Sequence, residues 1–170
     1  MLSIEMVKRL NRQINLEAYS SSLYLQMSAW CRHRGLDGCG EFLEQHAAEE
    51  LTHMRRLFSY VNETGAMAVL DKVDAPTAEF ASIEVVFKQT YDHEVMVTRR
   101  INELAEAALA EKDFSTFNFL QWYVAEQHEE ERLFKSILDR VAIIGMEGRG
   151  IFFLDREIGK LAAQRASAKA

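Results

Sequence analysis

Shifting the chain by 77 residues against itself superimposes its least expected inward-facing residues. Glu17 falls on Glu94, Glu49 on Glu126, Glu50 on Gln127 and His53 on Glu130. The apolar positions follow the same shift: Leu10 on Phe87, Ile14 on Tyr91, Leu43 on Leu120, Leu57 on Phe134 and Val61 on Leu138. Within each half the first acid precedes the next ligand-type residue by 33 positions, Glu17 to Glu50 and Glu94 to Gln127. A repeat that keeps its hydrophobic faces serves packing. One that also keeps carboxylates and amides on those faces serves something else, and the simplest candidate is a metal pair held near a two-fold axis.

Periodicity places five helices along the chain. The first starts at Ser3, a side chain suited to an N-cap, and runs to about residue 33, with an apolar stripe through Leu10, Ile14, Ala18, Ser21, Leu25 and Ser28. Three glycines within six residues, Gly35, Gly38 and Gly40, are expected to form the turn that follows. The second helix is expected over 40–64, with Gly65 as its stop, the third over 82–111, the fourth over 114–145, and a short fifth over 150–164. Residues 66–81 show no helical pattern and contain Pro76, the chain's single proline. A link of that length can cross a whole bundle, so the third helix should start at the far end and run parallel to the second. The fifth segment is short and apolar, with Ile151, Phe152, Leu154, Ile158 and Leu161, and should pack on the bundle or on other subunits. The expectation is an all-α chain, a single domain over 1–170.

The net charge of −6 argues against a nucleic-acid partner and leaves attraction for cations open. The N-terminus lacks a basic segment followed by an apolar run, and no apolar stretch approaches a membrane span, so a cytoplasmic protein without membrane association is expected. Cys31 and Cys39 read as small, reduced and inert residues.

The polar intruders carry the chemistry. Glu17 lies on the first helix, Glu50 and His53 on the second, Glu94 on the third, and Gln127 and Glu130 on the fourth. Spacing i, i+3 stacks Glu50 and His53 on one face. Four carboxylates buried together repel one another and oppose folding unless cations offset them. Oxygen-rich ligation with one imidazole suits iron or manganese better than structural zinc. The two halves are unequal. The second reads Gln127-His128-Glu129-Glu130, and Ala125 stands where a second Glu-x-x-His would need its glutamate. One metal position therefore has a histidine and the other is all oxygen, with Gln127 a weak ligand or a hydrogen-bond partner of one. Glu49, Glu126 and Glu129, beside Glu130, form either a third cation site or a solvated acidic face. His46 and His93 read as packing residues or as partners of ligands. Tyr24 reads as a core residue that can also bond a ligand or give up an electron, and Trp122 as packing.

Four long helices with one long crossover and a short fifth match a ferritin-like four-helix bundle. Over essentially its whole length the chain resembles the bacterial non-haem ferritins, in Asn15-Leu16-Glu17, in His46-Ala47-Ala48-Glu49-Glu50-Leu51-Thr52-His53, in Phe117 to Tyr123, and in Glu126-Gln127-His128-Glu129-Glu130. The resemblance implies that Glu17, Glu50 and His53 hold one iron, with Glu50 bridging to a second held by Glu94 and Glu130 beside Gln127. It matches Glu49, Glu126, Glu129 and Glu130 to a third iron site and Tyr24 to a tyrosine beside the centre. It further implies a ferroxidase using dioxygen or hydrogen peroxide, and a homo-oligomeric hollow shell of 24 subunits that stores ferric mineral. Haem is not expected, because Leu51 replaces the methionine that haem-binding relatives carry after the bridging glutamate. The rival readings are a non-storing di-iron carboxylate oxidase or peroxidase, and a metal buffer without catalysis.

Overall fold

The computed structural model describes residues 2–169, with side chains through residue 167. The described residues form α1 (Ile4–His33), α2 (Asp37–Glu63), α3 (Ile83–Ala110), α4 (Phe114–Ile144) and α5 (Gly150–Lys169). Side-chain caps start three of them. Ser3 accepts from the Met6 amide, Ser82 from the Val85 amide and Asp113 from the Thr116 amide. Gly35, Gly65 and Gly145 take positive φ at the turns after α1, α2 and α4.

Hydrogen bonds fix the helix directions. Ser21 and Ser28 of α1 each donate at 2.7 Å to the carbonyls of Ala47 and Gly40 on α2. A step of seven up one helix meets a step of seven down the other, so the two are antiparallel. The same rule joins α2 to α4. His46 meets Glu130, the Tyr123 hydroxyl donates to the His53 carbonyl, and the Tyr60 hydroxyl meets Thr116. Across the α1–α3 seam, Tyr24 meets Glu94 and Thr90 meets Met27, again with opposite direction. Thus α3 runs parallel to α2, as the long link requires. Asn11 and Asn15 pin that link to α1 by accepting from the amides of Val69 and Asp71, and Asn15 also donates to the Val69 carbonyl.

Three expectations need correction. Only Gly35 of the three clustered glycines belongs to the turn, and α2 begins at Asp37 rather than residue 40. Gly38 and Gly40 lie inside the helix because neighbours approach too closely for a side chain. A Cβ on Gly38 would lie 2.2 Å from the Asp155 carbonyl oxygen, and one on Gly40 would lie 2.6 Å from Cγ of Arg32. Leu25 is exposed rather than inward, since the buried stripe of α1 passes through Leu23, Tyr24 and Met27. The fifth helix continues to Lys169 instead of stopping at residue 164. It packs on its own subunit through Leu154, Ile158 and Ala162, while Phe152 stays exposed.

The apolar core is split in two. One cluster gathers Tyr24, Met27, Phe42, Leu43, Phe87, Phe134 and Ile137 with the buried face of α5. The other gathers Leu10, Ile14, Leu57, Val61, Val97, Ile101 and Leu120. On every long helix the residues between the two clusters are polar and buried: Glu17 on α1, Glu50 and His53 on α2, Thr90 and Glu94 on α3, Gln127 and Glu130 on α4. Well-packed apolar ends hold a polar layer at mid-height that could not hold itself. Cys31 and Cys39 lie in the first cluster as free, buried thiols. Burial, with a smaller contribution from Asp155, pushes Cys31 up to about 12 and raises Cys39 as well, so both stay protonated and unreactive.

Candidate metal centre

One ligand atom from each of Glu17, Glu50 and His53 lies within 4.8 Å of the other two. His53 Nδ1 is 3.4 Å from Glu50 Oε2, the expected outcome of an i, i+3 pair on one helix face. Glu17 is oriented by Gln13 one turn earlier, whose Nε2 donates to Oε1 at 2.8 Å. The other oxygen, Oε2, is buried and has no hydrogen bond among the described residues. A buried carboxylate oxygen without a donor is costly and rare in a native fold. Here the neighbouring side chain is the carboxyl of Glu50, so the two acids need either a shared proton or a cation between them.

The second half is wired differently. Glu94 accepts the Tyr24 hydroxyl on Oε1 and the Gln127 Nε2 at 2.9 Å on Oε2. Gln127 therefore acts on Glu94 as a donor. Glu130 Oε2 lies 3.1 Å from His46 Nε2, and Glu130 Oε1 lies 3.6 Å from Arg165 Nη2. His46, Glu49 and Glu130 form a second group whose donor atoms lie within 4.8 Å of one another. Glu126 and Glu129 do not enter either group. They line a cavity of about 790 Å³ together with Glu49, His53, Glu130 and Arg165.

The ferritin-like domain family matches residues 7–144. A probable bacterial non-haem ferritin-like protein of Haemophilus influenzae is 54% identical, over 96% of this chain and 99% of its own length. A bacterial non-haem ferritin of Escherichia coli is 52% identical over the same shares. The chain belongs to the bacterial non-haem ferritin family. Among solved structures, an open pore ferritin from the hyperthermophilic archaeon Archaeoglobus fulgidus superimposes with a TM-score of 0.91 at 45% identity. It covers 94% of this chain and 98% of that one.

Electrostatics in this ferritin chain separate the carboxylates. Burial, then the neighbouring Glu50, pushes Glu17 well above the carboxylate range. Burial and the charges of Glu94 and Glu130 do the same to Glu50. Glu94 rises to about 7, chiefly through burial and then the charge of Glu130, although the Tyr24 and Gln127 bonds oppose the rise. Burial alone would raise Glu130 too, but His46, Arg165 and His53 together outweigh it and hold that group low. Burial and the acids around it raise the Tyr24 phenol, keeping it a donor. The layer thus holds more carboxyl groups than it can ionise. The donor set, carboxylates with imidazole and no thiolate, is one that suits iron, and a divalent cation there would offset the charges that the layer otherwise neutralises with protons.

Gln13 and Arg165 escape sequence reasoning, whereas the sequence already reads His46, His93 and Trp122 as packing residues or partners of ligands. Gln13 lies between Leu10 and Ile14 on the buried stripe and one turn before Glu17, a signal visible in principle. His46 bonds Glu130 across the bundle, and its seven-residue spacing to His53 was the available clue. His93 bonds Ser20 at 2.8 Å and sets its ring edge-on to Tyr24. Trp122 packs edge-on to His53 at 5.3 Å and under Arg56. Arg165 lay beyond the expected end of the fifth helix.

Proposed function

We propose that this chain stores iron and oxidises it on entry: a ferroxidase that binds two ferrous ions as substrate in the polar layer and passes the ferric product to a mineral within a hollow homo-oligomeric shell of 24 subunits in the cytoplasm. The observation that carries the reading is the buried Glu17–Glu50–His53 group with its undonated Glu17 oxygen. In this reading Glu17, Glu50 and His53 hold one ion, and Glu94 and Glu130 the other, with Glu50 shared.

Each ferrous ion gives up one electron, and dioxygen takes both with two protons and leaves as hydrogen peroxide, which can itself serve as an oxidant. The polypeptide supplies position and charge. Gln13 orients Glu17, Tyr24 and Gln127 fix both oxygens of Glu94, and His46 holds Glu130. Protons displaced from Glu17, Glu50 and Glu94, and those released by ferric hydrolysis, leave past the exposed Glu129 and half-buried Glu126. The cavity beside the site joins the carboxylates of Glu49, Glu126, Glu129 and Glu130 to an apolar wall that includes Ala48 and Trp122, so shell formation, and not the cavity lining, discriminates storage from a small-molecule oxidase. Glu49, Glu126, Glu129 and Glu130 at this mouth constitute a third iron position.

The test is anaerobic addition of ferrous iron to the purified apoprotein, then air, with ferric absorbance and particle size followed together. Fast oxidation of about two irons per chain, followed by continued soluble uptake into a large shell, is expected. Fast oxidation in a small oligomer that precipitates its iron would establish the non-storing oxidase, and binding without acceleration a metal buffer.

A further inference from the structure

The C-terminal helix carries two charged side chains onto its packed face, Asp155 near its start and Arg165 near its end. Leu154, Ile158 and Ala162 are fully buried, and continuing their spacing brings Arg165 to the same side. The backbone contact of Gly38 with Asp155 and Gly159, and the bond from the Cys39 amide to Asp155, seat α5 along α2. This docking delivers Arg165 to the acidic mouth of the site. Its Nη2 donates to Glu49 Oε2 at 2.7 Å and stands 3.6 Å from Glu130 Oε1. The guanidinium therefore sits on oxygens of the same two carboxylates that close the second metal-competent group with His46.

Its hold is incomplete. The strongest guanidinium–carboxylate pairs are bidentate, through two parallel bonds. Here one nitrogen bonds Glu49, while Nε is buried with no hydrogen bond among the described residues. Arg165 also forms part of the wall of the 790 Å³ cavity, so it has space into which to withdraw.

We propose that Arg165 is a tethered counter-ion of the Glu49–Glu130 group, seated there without metal and displaced by a divalent cation, so that it sets the affinity of the third position. This rests on the reading of that position as an iron site. A resident monocation offsets one of the clustered carboxylates, whereas a divalent ion brings twice the charge and can engage several oxygens at once. A position open only a tenth of the time binds about tenfold more weakly than one always open. The chain thereby keeps its third position weak enough to release iron.

The experiment is anaerobic calorimetric titration of the assembled apoprotein with ferrous iron alone, in the wild type and in Arg165→Gln, Arg165→Lys and Glu49→Gln. Arg165→Gln should tighten the weakest class of sites about tenfold, Arg165→Lys should stay near wild type, and Glu49→Gln should remove that class. The lysine variant separates charge from packing, because a merely structural role would be disturbed by both changes at Arg165. Unchanged or weaker binding in Arg165→Gln, with the class still lost in Glu49→Gln, overturns the counter-ion and leaves the third position standing. No effect of Glu49→Gln removes the third position and the counter-ion together.

Discussion

Tyr24 donates its hydroxyl to Glu94 across the seam between α1 and α3, and so ties a buried carboxyl of one helix to the core of another. Tyr24 is itself fully buried between Phe134 and His93. Its removal leaves Glu94 with Gln127 as its remaining side-chain donor. Tyr24→Phe is expected to fold normally and to slow the fast phase of iron oxidation roughly tenfold, the loss of one hydrogen bond to a charged acceptor. Stopped-flow ferric absorbance measures this. An unchanged rate would show that Gln127 alone positions Glu94.

The buried acids of the polar layer cost stability. Glu50 is almost fully buried among other acids and is pushed toward its neutral form. Glu50→Gln keeps the shape and removes the cost of protonating a buried acid on folding. The metal-free variant should be about 1–2 kcal/mol more stable than the wild type, a rise of roughly 2–6 °C in melting temperature for a chain of this size. The same variant should lose the fast oxidation phase. A variant that is both inactive and less stable would mean that Glu50 holds the fold together through its hydrogen bonds.

The metal-free protein should also show an unusual pH dependence. Glu94 titrates near 7 in the folded state against an ordinary 4.5. Between these values the folded chain keeps a proton that the unfolded chain has released. The stabilisation is complete below the ordinary value and is lost as pH rises through about 7. Glu17 and Glu50 shift in the same direction, and Glu130, held low, acts oppositely in acid. Thermal melts of apoprotein should therefore fall from pH 5.5 to 8.5, by an amount on the order of 1–3 kcal/mol from Glu94. Glu94→Gln should flatten that slope. An equally steep profile in the variant would assign the effect elsewhere.

The polar layer was readable because each of its residues interrupts an apolar stripe, and the 77-residue shift shows the interruption on matched helices. Glu17, Glu50, His53, Glu94, Gln127 and Glu130 are all buried, as that reading requires. The start of α2 was not readable, because glycine has two uses that look identical in sequence. Gly35 supplies a positive φ, whereas Gly38 supplies only the absence of a side chain under Asp155. The far end of α5 was also hidden. Its partner surface on α2 is distant in sequence, and a polar segment such as Gln164-Arg165 reads as an end until the carboxylates of Glu49 and Glu130 are placed beside it.

The contact at Gly38 carries the last prediction. A methyl group there would lie 2.2 Å from a backbone oxygen and 3.0 Å from the Gly159 backbone nitrogen, neither of which can swing aside as a side chain would. Alanine is nevertheless the better helix former, by about 1 kcal/mol in an exposed helix. If local propensity governed, Gly38→Ala would stabilise the chain. The steric term is expected to win, because α5 must move as a unit to relieve it, which withdraws Leu154, Ile158 and Ala162 from the core. Gly38→Ala should lower the melting temperature, speed hydrogen exchange and proteolysis within residues 150–164, and leave exchange in α1 and α3 near wild type. A stabilised Gly38→Ala protein would show that α5 sits further from α2 than the Gly38–Asp155 approach implies.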